Sequence, residues 1–256
     1  MLARHGIRPR RSLGQHFLVD PNIVSKIVDA AGIEPGMKVV EVGAGTGALT
    51  TALAETGATV LAFETDRSLE PLLSEVLAGV RGVEVRWVDV TQVDLVEELR
   101  DGGWRMVSNL PYGVAAPLVA DVLRRVPQVD ELVVMVQKEV ADRLCASPGD
   151  PAYGLPSLVV GLHGEARILF RVPPTVFYPP PNVESAVVRI TRRAPPPRAE
   201  EALRLAGRAF GGRRKMLRRS LGLPEEVFAR AGVDPTARPE TLEVGDWLRL
   251  VEVAGA

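Results

Sequence analysis

The sequence predicts an α/β protein, with a parallel sheet covered by helices on both faces, followed in the chain by a small helical appendage. Three observations carry this. Short apolar runs alternate with helical stripes from residue 21 to about 137, as strands joined by crossover helices do. A glycine loop, Gly43-Ala-Gly-Thr-Gly47, links the first long apolar run to the helix after it. Beyond about residue 138 the alternation stops, and past the stiff link Ala194-Pro-Pro-Pro197 only short helical stretches remain.

In chain order, Asp20 and Pro21 suit the cap and first turn of a helix whose apolar stripe is Ile23, Val24, Ile27 and Val28, ended by Gly32 or Pro35. Strands are predicted at 37–42, 58–64, 83–89, 104–109 and 131–137. Helices fall between them at about 46–55, 67–78 and 114–125. A helix at 139–144 and a turn at 147–151 follow. Extended runs at 165–171 and 184–192, joined by a proline-rich segment, are expected to pair as an antiparallel hairpin at the sheet edge. Short helices at 200–210, 213–220, 224–231 and 244–253 make the appendage. The expected division is a large domain, 1–193, and a small helical one, 194–256.

At 256 residues, 46% hydrophobic and 25% charged, the chain can bury a sizeable core. Cys145 is the only cysteine, so the chain has no internal disulfide or thiolate metal site. His5, His16 and His163 lack zinc-ligand spacing, and no metal is expected. The polar, arginine-rich start lacks the apolar core of a signal peptide, and no run is long enough to span a bilayer. The expected compartment is the cytoplasm, with no membrane partner.

A net charge of −1 hides segregation. Residues 204–219 carry Arg204, Arg208, Arg213, Arg214, Lys215, Arg218 and Arg219 with no acid, and residues 1–12 add four unopposed arginines. Residues 63–101 hold ten acids against four arginines. Such asymmetry can give a neutral molecule one basic face for a polyanion; a solvated helix surface is the alternative reading.

The cluster Asn109-Leu110-Pro111-Tyr112 ends the fourth predicted strand. The Asn109 amide oxygen and the Leu110 carbonyl can accept the two N–H bonds of an exocyclic amino group on a flat base. Pro111 fixes the turn and Tyr112 offers a stacking face. The glycine loop frees backbone N–H groups for a nucleotide-like ligand, yet alone it fits a nicotinamide dinucleotide as well as S-adenosylmethionine. Glu64, at the next strand end, can accept ribose hydroxyls, and Asp89, at the one after, an adenine amino group. Ligands of such sheets bind at carboxyl strand ends, and this set points to methyl transfer onto a base nitrogen.

These residues resemble the ribosomal RNA adenine N6,N6-dimethyltransferases. The likeness includes Gln15-His16-Phe17-Leu18, the glycine loop, Glu64, Asp89 and Asn109-Leu-Pro-Tyr112. It extends to Phe177-Tyr-Pro-Pro-Pro-Asn-Val-Glu-Ser185, Arg213-Arg-Lys-Met-Leu-Arg-Arg-Ser220 and Arg238-Pro-Glu-Thr-Leu242, from about Arg10 to the end. It implies a Rossmann-like S-adenosylmethionine-dependent methyltransferase domain with a small C-terminal helical domain. The implied reaction dimethylates two adjacent adenosines in a hairpin loop near the 3′ end of small-subunit ribosomal RNA, during ribosome assembly. The implied partner is that RNA or a partly assembled small subunit, and the expected chain is a monomer.

By the same resemblance Gly43 and Gly45 approach the methionine end of the cofactor, Glu64 its ribose and Asp89 its adenine, while His16 and Leu18 close over it and Asn109 also belongs to the cofactor-binding set. Asn109, Leu110, Pro111 and Tyr112 handle the target amino group, and Phe177 covers the base. Arg213, Arg214, Lys215 and Arg218 hold RNA. The family often has Asn where His16 stands, and Thr and Asn where Met216 and Arg219 stand. Three readings compete: a large-subunit RNA methyltransferase conferring macrolide resistance, an RNA-binding assembly factor, and a nicotinamide-dependent oxidoreductase. The Phe177–Ser185 element and the basic cluster favour the small-subunit enzyme.

Overall fold

The computed structural model describes residues 2–10, 13–212 and 214–255. Its elements in chain order are β1 (Phe17–Leu18), α1 (Pro21–Ala31), β2 (Lys38–Val42), α2 (Ala48–Glu55), β3 (Thr59–Glu64), α3 (Glu70–Val76), β4 (Val83–Trp87), α4 (Leu95–Glu98), β5 (Trp104–Asn109), α5 (Ala115–Arg125) and β6 (Val129–Gln137). Then come α6 (Lys138–Cys145), α7 (Leu155–His163), β7 (Gly164–Val172), β8 (Phe177–Tyr178), β9 (Ser185–Arg192), α8 (Ala199–Phe210), α9 (Leu217–Leu221), α10 (Glu225–Ala231) and α11 (Val244–Ala254).

Seven strands form one sheet in the order β4-β3-β2-β5-β6-β9-β7. Neighbours from β4 to β6 are parallel, and β9 joins β6 antiparallel. Strand order reverses between β2 and β5, so their carboxyl ends flank the crevice where such sheets bind ligands. The β2–β5 pairing runs from Lys38 opposite Trp104 only to Val40 opposite Met106. Past that point the strands part, and the Ser108 hydroxyl accepts the Val42 N–H at 2.9 Å in place of a ladder carbonyl.

The predicted helix start at Asp20 is present: its carboxylate accepts the Asn22 N–H at 2.8 Å, and Gly32 closes α1 in a left-handed conformation. Val24 and Ile27 of α1 and Leu49 and Leu53 of α2 pack on Val39, Val60, Val107 and Val133 of the sheet. Each such buried aliphatic side chain contributes about 1.5–3 kcal/mol over its exposed state, and this layer holds the glycine loop and the ends of β2 and β5 in place.

Several elements differ from expectation. β4 ends at Trp87, so Asp89 lies two residues past it, where its carboxylate caps a 3₁₀ turn. The strand pair β1–β8 and helix α7 had no counterpart in the sequence reading. The helix expected at 213–220 begins only at Leu217, leaving Arg214 and Lys215 in the turn before it.

The chain divides into two compact units, one of residues up to Ala141 with Arg167–Thr191, the other of Asp142–Ala166 with the residues from Arg192 on. The linear boundary at 193/194 therefore needs amending, because 142–166 packs with the helical segment. The Tyr153 hydroxyl donates to the Leu242 carbonyl at 3.1 Å, and its ring meets Phe210, which in turn meets Trp247. The Gly149 N–H donates to the Glu240 carbonyl at 2.8 Å. Trp247, Phe228 and Leu250 are fully buried in this unit.

Gly47 has the backbone least tolerant of a side chain in the loop. Its φ is +79°, and an added Cβ would lie 2.9 Å from Leu73 Cδ2 and 3.1 Å from Val76 Cγ1. Gly47→Ala is expected to destabilise the protein by about 1–3 kcal/mol, read as a lower urea midpoint at unchanged slope. An unchanged midpoint would contradict this packing.

Candidate active site

A cavity of about 420 Å³ opens at the carboxyl ends of β2, β3 and β5, within the size range of cofactor sites. His16, Leu18, Gly43, Gly45, Glu64, Asp89, Asn109, Leu110, Pro111 and Tyr112 all line it. Phe177 does not. Strand alternation turns it inward, opposite Leu18, where it is 3% exposed among core residues including Val24, Val172 and Val187. Arg214, Lys215 and Arg218 are exposed in the helical unit, and Arg213 lies outside the described residues.

The nucleoside-sized end is built on two acids. Glu64 is buried; its Oε1 accepts the N–H groups of Thr65 and Asp66, both at 2.8 Å, and its Oε2 accepts that of Gly45 at 2.9 Å. A carboxylate offers about four lone-pair sites, so one more direct bond remains for a ribose hydroxyl rather than the two the sequence suggested. Asp89 uses Oδ1 on the Thr91 N–H and hydroxyl, at 2.9 and 2.8 Å. Its Oδ2 has no partner among the described residues. The neighbours Val88 and Val90 also line the cavity and give an apolar wall for a flat ring.

Asp66 is set apart by its bonds. It accepts from Gln15 Nε2 at 2.8 Å and from the Ser68 N–H and hydroxyl, and Arg10 lies 3.2 Å away. These contacts spend its carboxylate on anchoring the segment before β1.

Helix α2 starts behind Gly47 with no side-chain cap, so its first-turn N–H groups can meet the carboxylate of an amino-acid tail. A Cβ on Gly45 would approach the Phe17 ring to 3.3 Å, which shows how closely the loop is packed beneath the cavity. One nucleoside-facing acid, one ring-facing acid, apolar walls and a helix start together fit S-adenosylmethionine. Among the described residues no cluster of three or more His, Cys, Asp or Glu is arranged to hold a metal ion.

At the other end, the Asn109 Nδ2 donates to the His16 carbonyl at 3.4 Å, which leaves its Oδ1 as the free acceptor. The Leu110 N–H is tied to the Met135 carbonyl at 3.1 Å, and the Val114 N–H closes the turn on the Pro111 carbonyl. The Tyr112 hydroxyl meets the fully buried Ser185 Oγ at 2.7 Å. Burial pushes this phenol above its usual range despite the Ser185 bond, so it stays neutral. One face of its ring stacks on the His16 imidazole, centroids 5.4 Å apart, and His16 Nδ1 donates to the Pro179 carbonyl at 2.7 Å. His16 thus holds the Asn109 turn by its carbonyl and the β8 segment by its ring. Its spacing in Gln15-His16-Phe17-Leu18 revealed none of these bonds.

Fold and site together define a Rossmann-like methyltransferase of the S-adenosylmethionine-dependent class. The chain belongs to the ribosomal RNA adenine dimethylase family, whose model matches residues 6–255. A curated relative from Pelotomaculum thermopropionicum, called Ribosomal RNA small subunit methyltransferase A, is 44% identical over 275 residues, spanning 98% of this chain and 93% of its own. A dimethyladenosine transferase from Plasmodium falciparum shares the fold at a TM-score of 0.79 and 24% identity, over 93% of this chain and 96% of that one. The 23S rRNA methyltransferase ErmE matches at 0.69 and 27% identity, over 94% of this chain and 100% of its own.

Glu41 also lines the cavity floor, 1% exposed, and accepts the Thr50 hydroxyl at 2.6 Å. Burial pushes its carboxyl up to about 8; the Glu64 charge adds to this and the Thr50 bond opposes it. The folded state thus holds this proton more tightly than the unfolded chain. Its stabilising contribution is full below the ordinary value of 4.5 and is lost as pH rises through about 8. Melting temperatures of the protein and of Glu41→Gln, whose side chain cannot ionise, should therefore diverge from about pH 5 to pH 8. The unsubstituted protein should fall relative to the variant; parallel curves would contradict the assignment.

Proposed function

We infer that the protein transfers methyl groups from S-adenosylmethionine to N6 of adenosines in small-subunit ribosomal RNA, giving N6,N6-dimethyladenosine. The observation that carries this reading is the Asn109–Tyr112 turn, which lines the cavity and combines an amide oxygen and a carbonyl that have no donor among the described residues with a half-buried aromatic ring. We extend it to two adjacent adenosines in a hairpin loop near the 3′ end of that RNA, on a partly assembled subunit in the cytoplasm. The cavity lies within one compact unit of a single chain, which supports action as a monomer. No helix among the described residues is long and apolar enough to cross a membrane.

The bound cofactor supplies a methyl group already activated on a sulfonium. The adenine amino nitrogen is a poor nucleophile because its lone pair is spread into the ring. Asn109 Oδ1 and the Leu110 carbonyl, which has no donor among the described residues, would accept its two N–H bonds. Both acceptors favour the pyramidal nitrogen and the positive charge that develops as the new N–C bond forms. They also fix the nitrogen in line for transfer. A proton then leaves to water, so no side chain is assigned as base. His16 stacks on one face of Tyr112, and the target base would stack on the other. A loop adenosine is already partly unstacked, which lowers the cost of bringing it there.

The helical unit supports a role in holding RNA through the exposed Arg214, Lys215, Arg218 and Arg219. Arg208 is partly spent on structure, donating to the Leu221 carbonyl at 2.6 Å. The large-subunit alternative keeps a specific footing in the ErmE likeness, and the substrate RNA separates the two.

Asn109→Ala should lower methyl transfer at least about a hundredfold while cofactor affinity by calorimetry stays within a few-fold. A loss of affinity matching the loss of rate would assign Asn109 to the cofactor instead. Replacing Arg214, Lys215 and Arg218 together by Gln should weaken RNA binding and lower the slope of log K against log salt by about two to three. An unaltered slope would remove phosphate contact as their role.

A further inference from the structure

Resting on the reading above, we propose that Tyr178 is a second base platform, which stacks on the unpaired RNA nucleotide next to the adenosine being methylated. Tyr178 is 53% exposed, although it follows the buried Phe177 directly. Alternation along β8 turns Phe177 into the core and Tyr178 outward. An isolated exposed aromatic is ordinary on a protein surface. This one is not isolated. Leu13, Val19 and Val88 are also more than a third exposed. Of these four exposed apolar side chains, Leu13 and Val88 line the cavity, while Tyr178 lies on and Val19 directly follows the strand pair β1–β8, whose β1 member borders the cavity through Phe17 and Leu18.

The backbone under Tyr178 is held firmly to the catalytic turn. It pairs with Phe17, which lines the cavity, and the pairing continues through the Val19 N–H to the Val176 carbonyl at 2.9 Å. The adjoining Pro179 carbonyl accepts from the His16 ring, and that ring lies on Tyr112. From the Tyr112 ring the path to Tyr178 is one stacked imidazole, one hydrogen bond to the Pro179 carbonyl and the adjoining residue of the chain. The Tyr178 hydroxyl has no partner among the described residues, so the half-exposed ring keeps a free polar edge. A loop nucleotide displaced beside the target has lost its own stacking partner, and an aromatic face tied to the site is the chemistry that replaces it.

The test compares the protein with Tyr178→Ala and Tyr178→Phe, each on small ribosomal subunits lacking adenine dimethylation and on a loop oligonucleotide carrying 2-aminopurine next to the target adenosine. Tyr178→Ala should raise KM for the subunit about tenfold, with kcat within a few-fold, and cofactor affinity and melting temperature unchanged. It should also abolish the fluorescence quenching seen with the unsubstituted protein. Tyr178→Phe, which keeps the ring, should restore both. Equal KM and equal quenching for Tyr178→Ala would overturn the platform. A raised KM on subunits with quenching intact on the oligonucleotide would assign Tyr178 to a ribosomal protein and overturn it equally. If the unsubstituted protein neither methylates subunits nor quenches the probe, the functional reading itself fails; activity in that protein with an indifferent Tyr178→Ala defeats the platform alone.

Discussion

The parting of β2 and β5 beyond Val40 and Met106 is the constraint on which the site depends. Parallel strands that stayed paired to their ends would close the crevice and leave no room for Asn109 to face Gly43. Parting also strands backbone groups, and Ser108 repairs that locally by accepting the Val42 N–H through its hydroxyl. A buried unpaired amide would cost about 1–3 kcal/mol, so a small hydroxyl residue just before Asn109 lets the sheet open where the chemistry needs space. The glycine loop and the Asn109 turn then meet across the gap, with Pro111 Cδ only 3.5 Å from where a Gly43 side chain would begin.

Around this opening the same groups serve fold and ligand. Glu64 clamps three backbone N–H groups, drawing the loop at Gly45 toward the end of β3, and keeps one lone-pair site free at the cavity. Glu41 beneath it is buried and holds its proton, which avoids a second unpaired negative charge beside Glu64. His16 joins elements far apart in sequence, touching Asn109, Tyr112 and Pro179 at once. The residue that resemblance alone assigns to closing over the cofactor is, by its bonds, equally a support for the base side.

The parts legible in sequence are those with a strong local signal. Period and punctuation marked the long strands, the Asp20 helix start and the glycine loop, and strand ends drew attention to Glu64 and Asn109. What was hidden depends on contacts between distant segments. A two-residue strand such as β1 has no periodicity, so its pairing with β8, and with it the inward turn of Phe177 and the outward turn of Tyr178, was invisible. Helix α7 was masked by Val159, Val160 and Gly161, which read as poor helix formers, although Pro156 suits its first turn. The place of residues 142–166 among the C-terminal helices rests on Tyr153 reaching Leu242, a contact across 89 positions.

Dimethylation of adenine in small-subunit RNA at this cavity is tested most directly on the two ribosomal subunits side by side. Small and large ribosomal subunits, both lacking adenine dimethylation, would be incubated separately with the protein and S-adenosylmethionine, and the digested RNA analysed by mass spectrometry. N6,N6-dimethyladenosine is expected from the small subunit alone. Product confined to large-subunit RNA, or none in either despite measured cofactor binding, would contradict it.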